Sequence, residues 1–283
     1  MKHVIIITNK PKDPQLEVTR QICSYLENAG VTANVYADQI SAEEWQEILR
    51  TEGSETDVIL VLGGDGTLLR AAKDTARAKI PVVGVNLGTL GYLAEVEKAN
   101  LIPALDQLLR GEYSIEERMM LQGRVYREGK LLEEVCALND VAIVRNGPLQ
   151  MLYFQIFVND KFLKEYYADG MLVATPTGST GYNMSAGGPI VEPSAQLLLL
   201  TPVCPHTLQN RSVILRAEDE ILIRVHKRQG YELANMDVTF DGGKSIRLIP
   251  GDEIRISRSD LNTSIIKLSE ASFLDVLHRK LRE

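Results

Sequence analysis

The first third of the chain alternates short apolar runs with helical patterns, and this alternation limits the folds that it can form. The apolar runs include residues 3–8, 57–63 and 81–88, which read HVIIIT, DVILVLG and PVVGVNLG. Strands of near-continuous Ile, Val and Leu are typical of parallel sheets that are covered on both faces. Helical patterns between such strands indicate an α/β fold. We therefore expect a Rossmann-like α/β domain over residues 1–117.

Helix signals in this region support the α/β prediction. Val18, Ile22, Leu26 and Ala29 share one helical face, and Gly30 follows them as a stop signal. Ser41 and Glu44 have the spacing of a capping box, so a second helix is expected from Ser41 to Gly53. A further helix is expected from Asn100 to Arg110, where Gly111 ends it.

After about Arg118 the pattern changes to short alternating strands separated by turn residues, such as LYFQIFVND and EILIRVH. This pattern predicts a β-rich, sandwich-like domain over residues 118–269. Residues 169–193 are an exception, because glycines and hydroxyl side chains crowd together there as in a ligand loop rather than a strand. Helical spacing returns within residues 270–283; packing of this last helix on the first domain is one expectation, and packing on the second domain is the alternative.

Composition excludes several classes of function. A formal charge of −7 over 283 residues leaves no broad basic surface, so no nucleic-acid partner is expected. No apolar run approaches the ~20 residues that span a bilayer, so no membrane segment is expected either. Three distant cysteines and four histidines without ligand spacing predict neither a disulfide framework nor a protein metal cage, and the cysteines fit a reducing cytoplasm.

The motif Gly63-Gly64-Asp65-Gly66 lies where a predicted parallel strand ends and a helix begins. This is the edge at which open α/β sheets bind ligands. Glycines allow the backbone to approach a ligand closely, and the free N–H groups at the start of the helix favour a phosphate. A carboxylate beside phosphates has a purpose if it accepts a proton in phosphoryl transfer or contacts a metal ion. The alternative is a tight turn in which Asp65 caps the helix.

Four segments together carry a resemblance to a known family. They are GGDGT at 63–67, NLGTLGYL at 86–93, the pair Asn139-Asp140, and DGMLVATPTGSTGYNMSAGGPIVEP at 169–193. With these segments the chain closely resembles the NAD kinases over nearly its whole length. GGDGT alone is less specific, because phosphofructokinases and diacylglycerol-type lipid kinases are similar there. The TPTGSTGY block is far more specific.

The resemblance implies ATP-dependent phosphorylation of the adenosine ribose 2′-hydroxyl of NAD, giving NADP. It also implies an active site between an N-terminal α/β domain and a C-terminal β-rich domain, a divalent cation, most simply Mg²⁺, delivered with ATP, and a homodimer or homotetramer. Two alternatives remain: a lipid kinase that shares GGDGT, and a non-catalytic NAD(P)-binding sensor. A third alternative, a protein with a purely structural role, requires that neither glycine-rich loop binds a ligand.

The resemblance also assigns roles to individual residues. Asp65 matches the proton acceptor, within a nucleotide-binding loop that includes Gly63, Gly64, Gly66 and Thr67. Arg70 matches a ligand contact or is a solvated helix residue. Asn139 and Asp140 match a pair that contacts the adenosine half of NAD, and a plain hairpin turn is the alternative. Asp169 matches a contact on the nicotinamide side or is a turn residue. The loop that holds adenosine corresponds to Thr180, Gly181, Tyr182 and Ser185, although Tyr182 could also be a core residue.

The chain departs from the commoner family pattern at four positions. Gly181 and Asn183 replace alanine and serine, Ser212 replaces a proline, and Gly243 replaces the glutamine of Asp-Gly-Gln. Any ligand contact made by that glutamine side chain is lost. The predicted catalytic carboxylate is unaffected.

Overall fold

A computed structural model describes residues 1–37, 40–88, 91–147, 151–206, 211–226, 235–269, 271–280 and 282. The chain divides into two units. The first comprises Met1–Arg118 with Asn262–Glu283, and the second comprises Met119–Leu261. No helix among the described residues is long and apolar enough to cross a bilayer.

The first unit is built on a parallel sheet, as the alternation of apolar runs and helical patterns predicts. Its strands β1 to β4 lie in the order β2-β1-β3-β4, and the short strand β5 pairs with β4. Val58–Gly63 is buried at every position, which explains its continuous apolar sequence. The strands are β1 (His3–Thr8), β2 (Thr32–Tyr36), β3 (Val58–Gly63), β4 (Val82–Asn86) and β5 (Val96–Glu97).

This strand order creates a switch point between β1 and β3. From β1 the chain continues to β2 on one side of the sheet, whereas β3 leads to β4 on the other side. The connections that leave the carboxyl ends of β1 and β3 therefore diverge, and ligands of open α/β sheets bind in the crevice between such connections. The Gly63–Gly66 loop follows β3 at this crevice.

Four helices of this unit follow the signals in the sequence. The expected first helix buries Val18, Ile22 and Leu26, while Ala29 lies exposed at its end. The capping box is confirmed: Ser41 Oγ accepts from Glu44 N at 3.1 Å, and Glu44 Oε2 accepts from Ser41 N at 2.8 Å. The helices are α1 (Glu17–Asn28), α2 (Ala42–Glu52), α3 (Asp65–Thr75) and α4 (Leu101–Arg110), and a single 3₁₀ turn (Lys98–Asn100) precedes α4.

The second unit is β-rich, as the alternating strands predict. One sheet has the order β13-β12-β11-β8-β15-β16, and the other contains β10-β9-β14-β17, with β6 and β7 attached through β17. A shared core that includes Phe154 and Phe240 lies between the two sheets. The strands are β6 (Ser114–Arg127), β7 (Lys130–Ala137), β8 (Asp140–Arg145), β9 (Leu152–Val158), β10 (Lys161–Ala168), β11 (Gly170–Ala174), β12 (Leu197–Val203), β13 (Val213–Arg216), β14 (Ile221–His226), β15 (Met236–Phe240), β16 (Ser245–Leu248) and β17 (Glu253–Lys267).

Two strands are divided between the units: β6, whose residues 114–118 belong to the first unit, and the last strand, β17. Glu253–Leu261 belongs to the second unit, but from Asn262 onward β17 belongs to the first, where Ile265 lies opposite Val82 of β4 in a parallel pair. The sequence pattern placed residues up to 269 in the β-rich domain, because strand periodicity does not reveal which sheet a strand joins. Helix α6 (Phe273–Lys280) also belongs to the first unit, and its Arg279 lies 3.8 Å from Glu97.

The segment 169–193 contains more regular structure than expected. Gly170–Ala174 forms β11, which is fully buried between β8 and β12. The prediction of a ligand loop is therefore wrong for these five residues, because a short run of small and apolar side chains suits a central strand. The loop proper begins at Thr175 and contains a 3₁₀ turn (Thr177–Thr180) and the one-turn helix α5 (Tyr182–Ser185).

Candidate functional site

The glycine loop of the first unit brings Asp65 to the carboxyl edge of the sheet. Gly64 adopts an extended conformation as the N-cap of α3, and Asp65 is the first helical residue. Its carboxylate reaches across to the chain beyond β4, where Oδ2 accepts from Tyr92 N at 2.8 Å and Oδ1 accepts from Leu93 N at 3.2 Å. The carboxylate forms no capping bond with α3. The helix-cap alternative for Asp65 is therefore wrong.

Gly91 makes this approach possible. A Cβ atom placed on Gly91 would lie 1.8 Å from Asp65 Oδ1 and 2.3 Å from Asp65 Cγ. Any larger residue would push the carboxylate away from the peptide groups that hold it. The glycine at 91 therefore fixes where the carboxylate points, although it contributes no functional group.

Two other predicted residues of this loop have structural roles. Thr67 is buried, and its Oγ1 accepts from Asn9 Nδ2 at 3.0 Å. A Cβ atom on Gly63 would lie 2.5 Å from Thr67 Oγ1, so only glycine leaves room for the threonine side chain. Gly66 faces open space, because a Cβ atom there would meet nothing within 4 Å. Thr67 and Gly63 thus shape the loop, while Gly64, Asp65 and Gly66 line its free side.

In the second unit, Asp241 fixes the turn that carries Asn139 and Asp140. The Asp241 carboxylate accepts from three consecutive backbone N–H groups, those of Leu138 at 2.8 Å, Asn139 at 2.7 Å and Asp140 at 3.1 Å. Its own N–H donates to Asp140 O at 3.0 Å. Asp241 lies at the corner of the β15–β16 hairpin, with Asp241 and Gly242 both at positive φ as a type I′ turn requires.

Asp140 is a buried carboxyl group without a basic partner among the described residues. Asp140 is only 6% exposed. Burial, and then the nearby charge of Asp241, raise the pKa of Asp140 to about 7. Beside it, Asn139 Oδ1 is buried and forms no hydrogen bond to any described residue. Unsatisfied polar groups of this kind are uncommon in folded proteins and point to a missing partner.

The turn from Thr175 to Gly181 packs directly on this pair. Thr175 N donates to Asn139 O at 2.9 Å, and Thr175 Oγ1 donates to Leu138 O at 2.6 Å. A Cβ atom on Gly178 would lie 2.1 Å from Asn139 O, so only glycine permits this contact. The hydroxyl of Ser179 bonds to the backbone of Val191, at 3.1 Å as donor and 3.0 Å as acceptor. These hydroxyl groups hold the turn together.

Tyr182 lies near both Asp140 and Asp169. Partial burial, followed by the nearby Cys204, Asp140 and Asp169, raises the pKa of Tyr182. The Tyr182 residue is 41% exposed, so the core-residue alternative is wrong. Asp169 forms an ion pair with Arg145, whose Nε lies 3.1 Å from Oδ1, and both side chains are about three-quarters buried. Arg145 therefore holds the Asp169 side chain in place.

The remaining predicted site residues, Arg70, Thr180 and Ser185, form fewer contacts with the residues described above. Arg70 is exposed on α3, one turn beyond Gly66. Thr180 is partly buried and its Oγ1 lies 3.5 Å from Thr177 O, while Ser185 is exposed at the end of α5. Among the residues that the structure describes, no three His, Cys, Asp or Glu side chains come together as a metal site.

Comparison with known proteins decides the family. The sequence model of the ATP-NAD kinase N-terminal domain matches residues 4–113, and that of the C-terminal domain matches residues 138–268. The NAD kinase of Agathobacter rectalis is 46% identical over 284 residues, with 99% of each chain covered. The NAD kinase of Lachnospira eligens is 40% identical, with 99% of this chain and 100% of that protein covered. The chain belongs to the NAD kinase family.

Solved structures agree with this assignment. An NAD kinase from Archaeoglobus fulgidus, determined in complex with ATP, superposes on this chain with a TM-score of 0.77 at 25% sequence identity. The match covers 100% of this chain and 99% of the A. fulgidus chain. Yeast NADH kinase complexed with NADH has the same fold, with a TM-score of 0.85 at 24% identity, and covers 99% and 88% of the two chains. The curated relatives are NAD kinases, so this chain is a phosphotransferase, and none of the comparisons supports the lipid-kinase or sensor alternatives.

Two departures of the kinase from the commoner pattern form one network. Thr201 Oγ1 lies 2.7 Å from Asn183 Oδ1 and 2.9 Å from Ser212 Oγ. Asn183 is fully buried, and its Nδ2 donates to Ser179 O and Pro189 O. Asn183 therefore stabilises the loop that begins at Thr175 through buried hydrogen bonds to its backbone. Ser212 is linked to Asn183 through Thr201.

The other two departures concern glycines. A Cβ atom on Gly181 would lie 3.4 Å from Asn139 Nδ2 and 3.9 Å from Asp140 Oδ2, so glycine here widens the space beside the pair slightly. Gly243 closes the β15–β16 turn, where its N–H donates to Phe240 O at 2.9 Å.

Sequence reasoning missed four residues of the kinase that the geometry singles out. They are Lys12, in the connection after β1, whose Nζ would lie 2.7 Å from a Cβ atom on Gly64, together with Gly91, Asp241 and Arg145. Only Asp241 carried a usable signal, because Asp-Gly between two alternating strands predicts a type I′ turn. The other three act through contacts between segments that are distant in sequence, which spacing does not show.

Proposed function

We propose that Asp65 is the general base of this NAD kinase and that the Asn139–Asp140 turn binds the adenosine half of NAD. The observation that carries the proposal is the carboxylate of Asp65, held by the N–H groups of Tyr92 and Leu93 at the carboxyl edge of a parallel sheet. The resemblance of the motifs to those of the NAD kinases identifies NAD as the substrate. The geometry supports the roles proposed for Asp65 and for the Asn139–Asp140 turn.

The proposed reaction transfers the γ-phosphoryl group of ATP. The adenosine ribose 2′-hydroxyl oxygen attacks the γ-phosphorus, the bond to the β,γ-bridging oxygen breaks, and ADP leaves. The hydroxyl proton passes to the Asp65 carboxylate. Each carboxylate oxygen retains acceptor capacity beyond its bond to a peptide N–H, so Asp65 can still receive this proton. Two fixed donors also keep the carboxylate oriented, which favours a productive approach.

The second unit supplies groups suited to an adenosine. Asn139 Oδ1, a buried acceptor without a described partner, suits an amino group, and the Asp140 carboxylate suits ribose hydroxyls. Tyr182 offers an exposed aromatic surface beside them, and Thr180, Gly181 and Ser185 complete the proposed loop. Asp169, oriented by Arg145, is proposed to contact the nicotinamide side.

A divalent cation fits this arrangement as a companion of ATP. Mg²⁺ is commonly held by one or two carboxylates together with substrate phosphates and waters. Asp65 is the residue of this chain that would contact it, directly or through water. When bound, the cation neutralises charge on the phosphates.

The remaining expectations concern assembly and location. The resemblance implies a homodimer or homotetramer in the cytoplasm, and the free thiols of Cys23, Cys136 and Cys204 are compatible with a reducing compartment. Sedimentation equilibrium of the purified protein tests the assembly.

The direct test incubates the purified chain with NAD, ATP and Mg²⁺. An NADP-specific dehydrogenase follows the product, and ³¹P NMR identifies the position of the new phosphate. We expect a 2′-phosphomonoester and stoichiometric ADP. Saturable NAD binding without any phosphorylated product would refute the proposal and favour a sensor. Diacylglycerol offered in mixed micelles tests the lipid-kinase alternative under the same conditions.

A further inference from the structure

Lys12 lies over the glycine loop at the switch point of the first unit. A Cβ atom placed on Gly64 would be 2.7 Å from Lys12 Nζ, and one placed on Gly88 would be 3.6 Å from it. The ammonium group is thus close to both the connection after β3 and the connection after β4. Lys12 itself belongs to the connection after β1, so three connections meet at its side-chain end.

The backbone of Lys12 is firmly placed. Its N–H donates to Asn9 O at 2.8 Å, and Asn9 N donates to Leu62 O at 2.8 Å, which ties the connection to β3. On the other side, the buried carboxylate of Asp13 accepts from Thr19 N at 2.9 Å and from Thr19 Oγ1 at 2.7 Å at the start of α1. The lysine therefore extends from a fixed turn.

The ammonium group has no counter-ion within the described part of the chain. No described carboxylate lies within ion-pair distance of Lys12, and the residue is exposed. A cation beside free backbone N–H groups makes the loop attractive to a phosphate, even though Asp65 contributes a negative charge there. Lysine commonly binds phosphate as a point charge.

We propose that Lys12 binds the phosphate chain of the triphosphate donor at the Gly63–Gly66 loop. This inference rests on the proposed function for the identity of the donor. It explains how a loop that carries the catalytic carboxylate still accepts a polyanion: Lys12 balances the charge of Asp65 from the opposite side of the switch point. Lys12 contacts the donor and holds it, and the proton transfer remains with Asp65.

The test compares phosphate binding by four forms of the full-length chain. They are the parent, Lys12→Met, Lys12→Arg and Lys2→Met. Lys2 is an exposed lysine before the start of β1, at the other end of that strand, so Lys2→Met removes the same charge far from the loop. Calorimetry measures the affinity for Mg-ATP, for inorganic tripolyphosphate with Mg²⁺, and for NAD.

We expect Lys12→Met to weaken ATP and tripolyphosphate binding about tenfold, as the loss of one charge-assisted contact implies. NAD affinity and the melting temperature should stay at the parent values. Lys12→Arg should restore most of the lost affinity, and Lys2→Met should bind like the parent. In turnover assays, Lys12→Met should raise the KM for ATP while the KM for NAD is unchanged.

Two results would overturn the proposal. One is equal binding of ATP and tripolyphosphate by the parent and Lys12→Met, and the other is an equal loss in Lys12→Met and Lys2→Met, which would reveal only a general charge effect. If the parent forms no NADP, the proposed function fails, but the binding comparison still decides the role of Lys12.

Discussion

The two clusters of functional residues are held in place by opposite means. In the first unit, an accessible carboxylate, Asp65, is oriented by the peptide N–H groups of the Gly91–Leu93 segment. In the second unit, the carboxyl group of Asp140 is buried, and another carboxylate, Asp241, holds the backbone beneath it. The first arrangement suits the proposed general base, because the carboxylate is oriented but still accessible. The second suits the proposed recognition surface, because the backbone that shapes it is fixed.

This difference predicts which kinetic parameter responds to each change. Displacing Asp65 should slow turnover, because a base must reach the hydroxyl oxygen within hydrogen-bond distance. Disturbing the Asn139–Asp140 turn should weaken NAD binding, because its buried polar groups are left with poorly placed partners.

Among changes that leave Asp65 itself intact, the largest effect should come from Gly91→Ala. The new methyl group would collide with the Asp65 carboxylate, which must then leave the N–H groups of Tyr92 and Leu93. We expect kcat to fall by about 10²-fold or more, since misplacing a general base removes most of its contribution. Steady-state kinetics measures this, with NAD affinity from calorimetry and the melting temperature as controls. A normal kcat in Gly91→Ala would show that the position of Asp65 is not critical.

An intermediate effect should appear in the pH dependence of NAD use. Because the pKa of Asp140 is raised to about 7, its carboxylate forms only as the pH rises through that value. If the carboxylate accepts ribose hydroxyls, kcat/KM for NAD should increase across this range. Asp241→Asn removes a nearby negative charge, so the midpoint should move to lower pH.

The same pKa shift has a consequence for stability. The folded-state pKa of Asp140 lies above its ordinary value of 3.8, so the folded form holds an extra proton between these values and stability falls as pH rises from about 4 to about 7. Asp140→Asn should therefore raise the free energy of unfolding at pH 8 relative to the parent, and change it little at pH 4. Urea denaturation at the two pH values measures this. Equal effects at both would contradict a buried, shifted carboxyl group.

The smallest effect should come from Arg145→Met. This change releases Asp169 from its ion pair, and partly buried pairs of this kind contribute about 1 kcal/mol. We expect the KM for NAD to rise a few-fold, with kcat nearly unchanged. Arg124→Met is a matched control, because it removes a comparable pair with Glu134. If both variants behave alike, Asp169 has no special role in recognition.

Much of this fold follows from local sequence patterns. The buried apolar strand Val58–Gly63, the Ser41–Glu44 capping box and the glycine that ends α4 are all local signals, and each is present as expected. The boundary within β17 was not predictable, because its two halves have the same alternation and differ only in the sheets that they join.

The functional residues were likewise predictable only in part from local sequence patterns. Motifs located Asp65 and Asp140, but the residues that orient them were not evident. Gly91 is distant from Asp65 in sequence, and Asp241 is about a hundred positions from Asp140. Their importance arises from close contacts, such as the space that only a glycine leaves for a carboxylate, and these exist only in the folded chain.

The most direct test of the account is a comparison of the parent with Asp65→Asn in single-turnover NADP formation, with NAD affinity measured on the same samples. An amide retains the shape of the carboxylate but cannot act as the base. We predict that the rate of phosphoryl transfer falls by about 10²- to 10⁴-fold while NAD affinity stays within about twofold. A rate close to the parent would contradict the central claim that Asp65 accepts the proton.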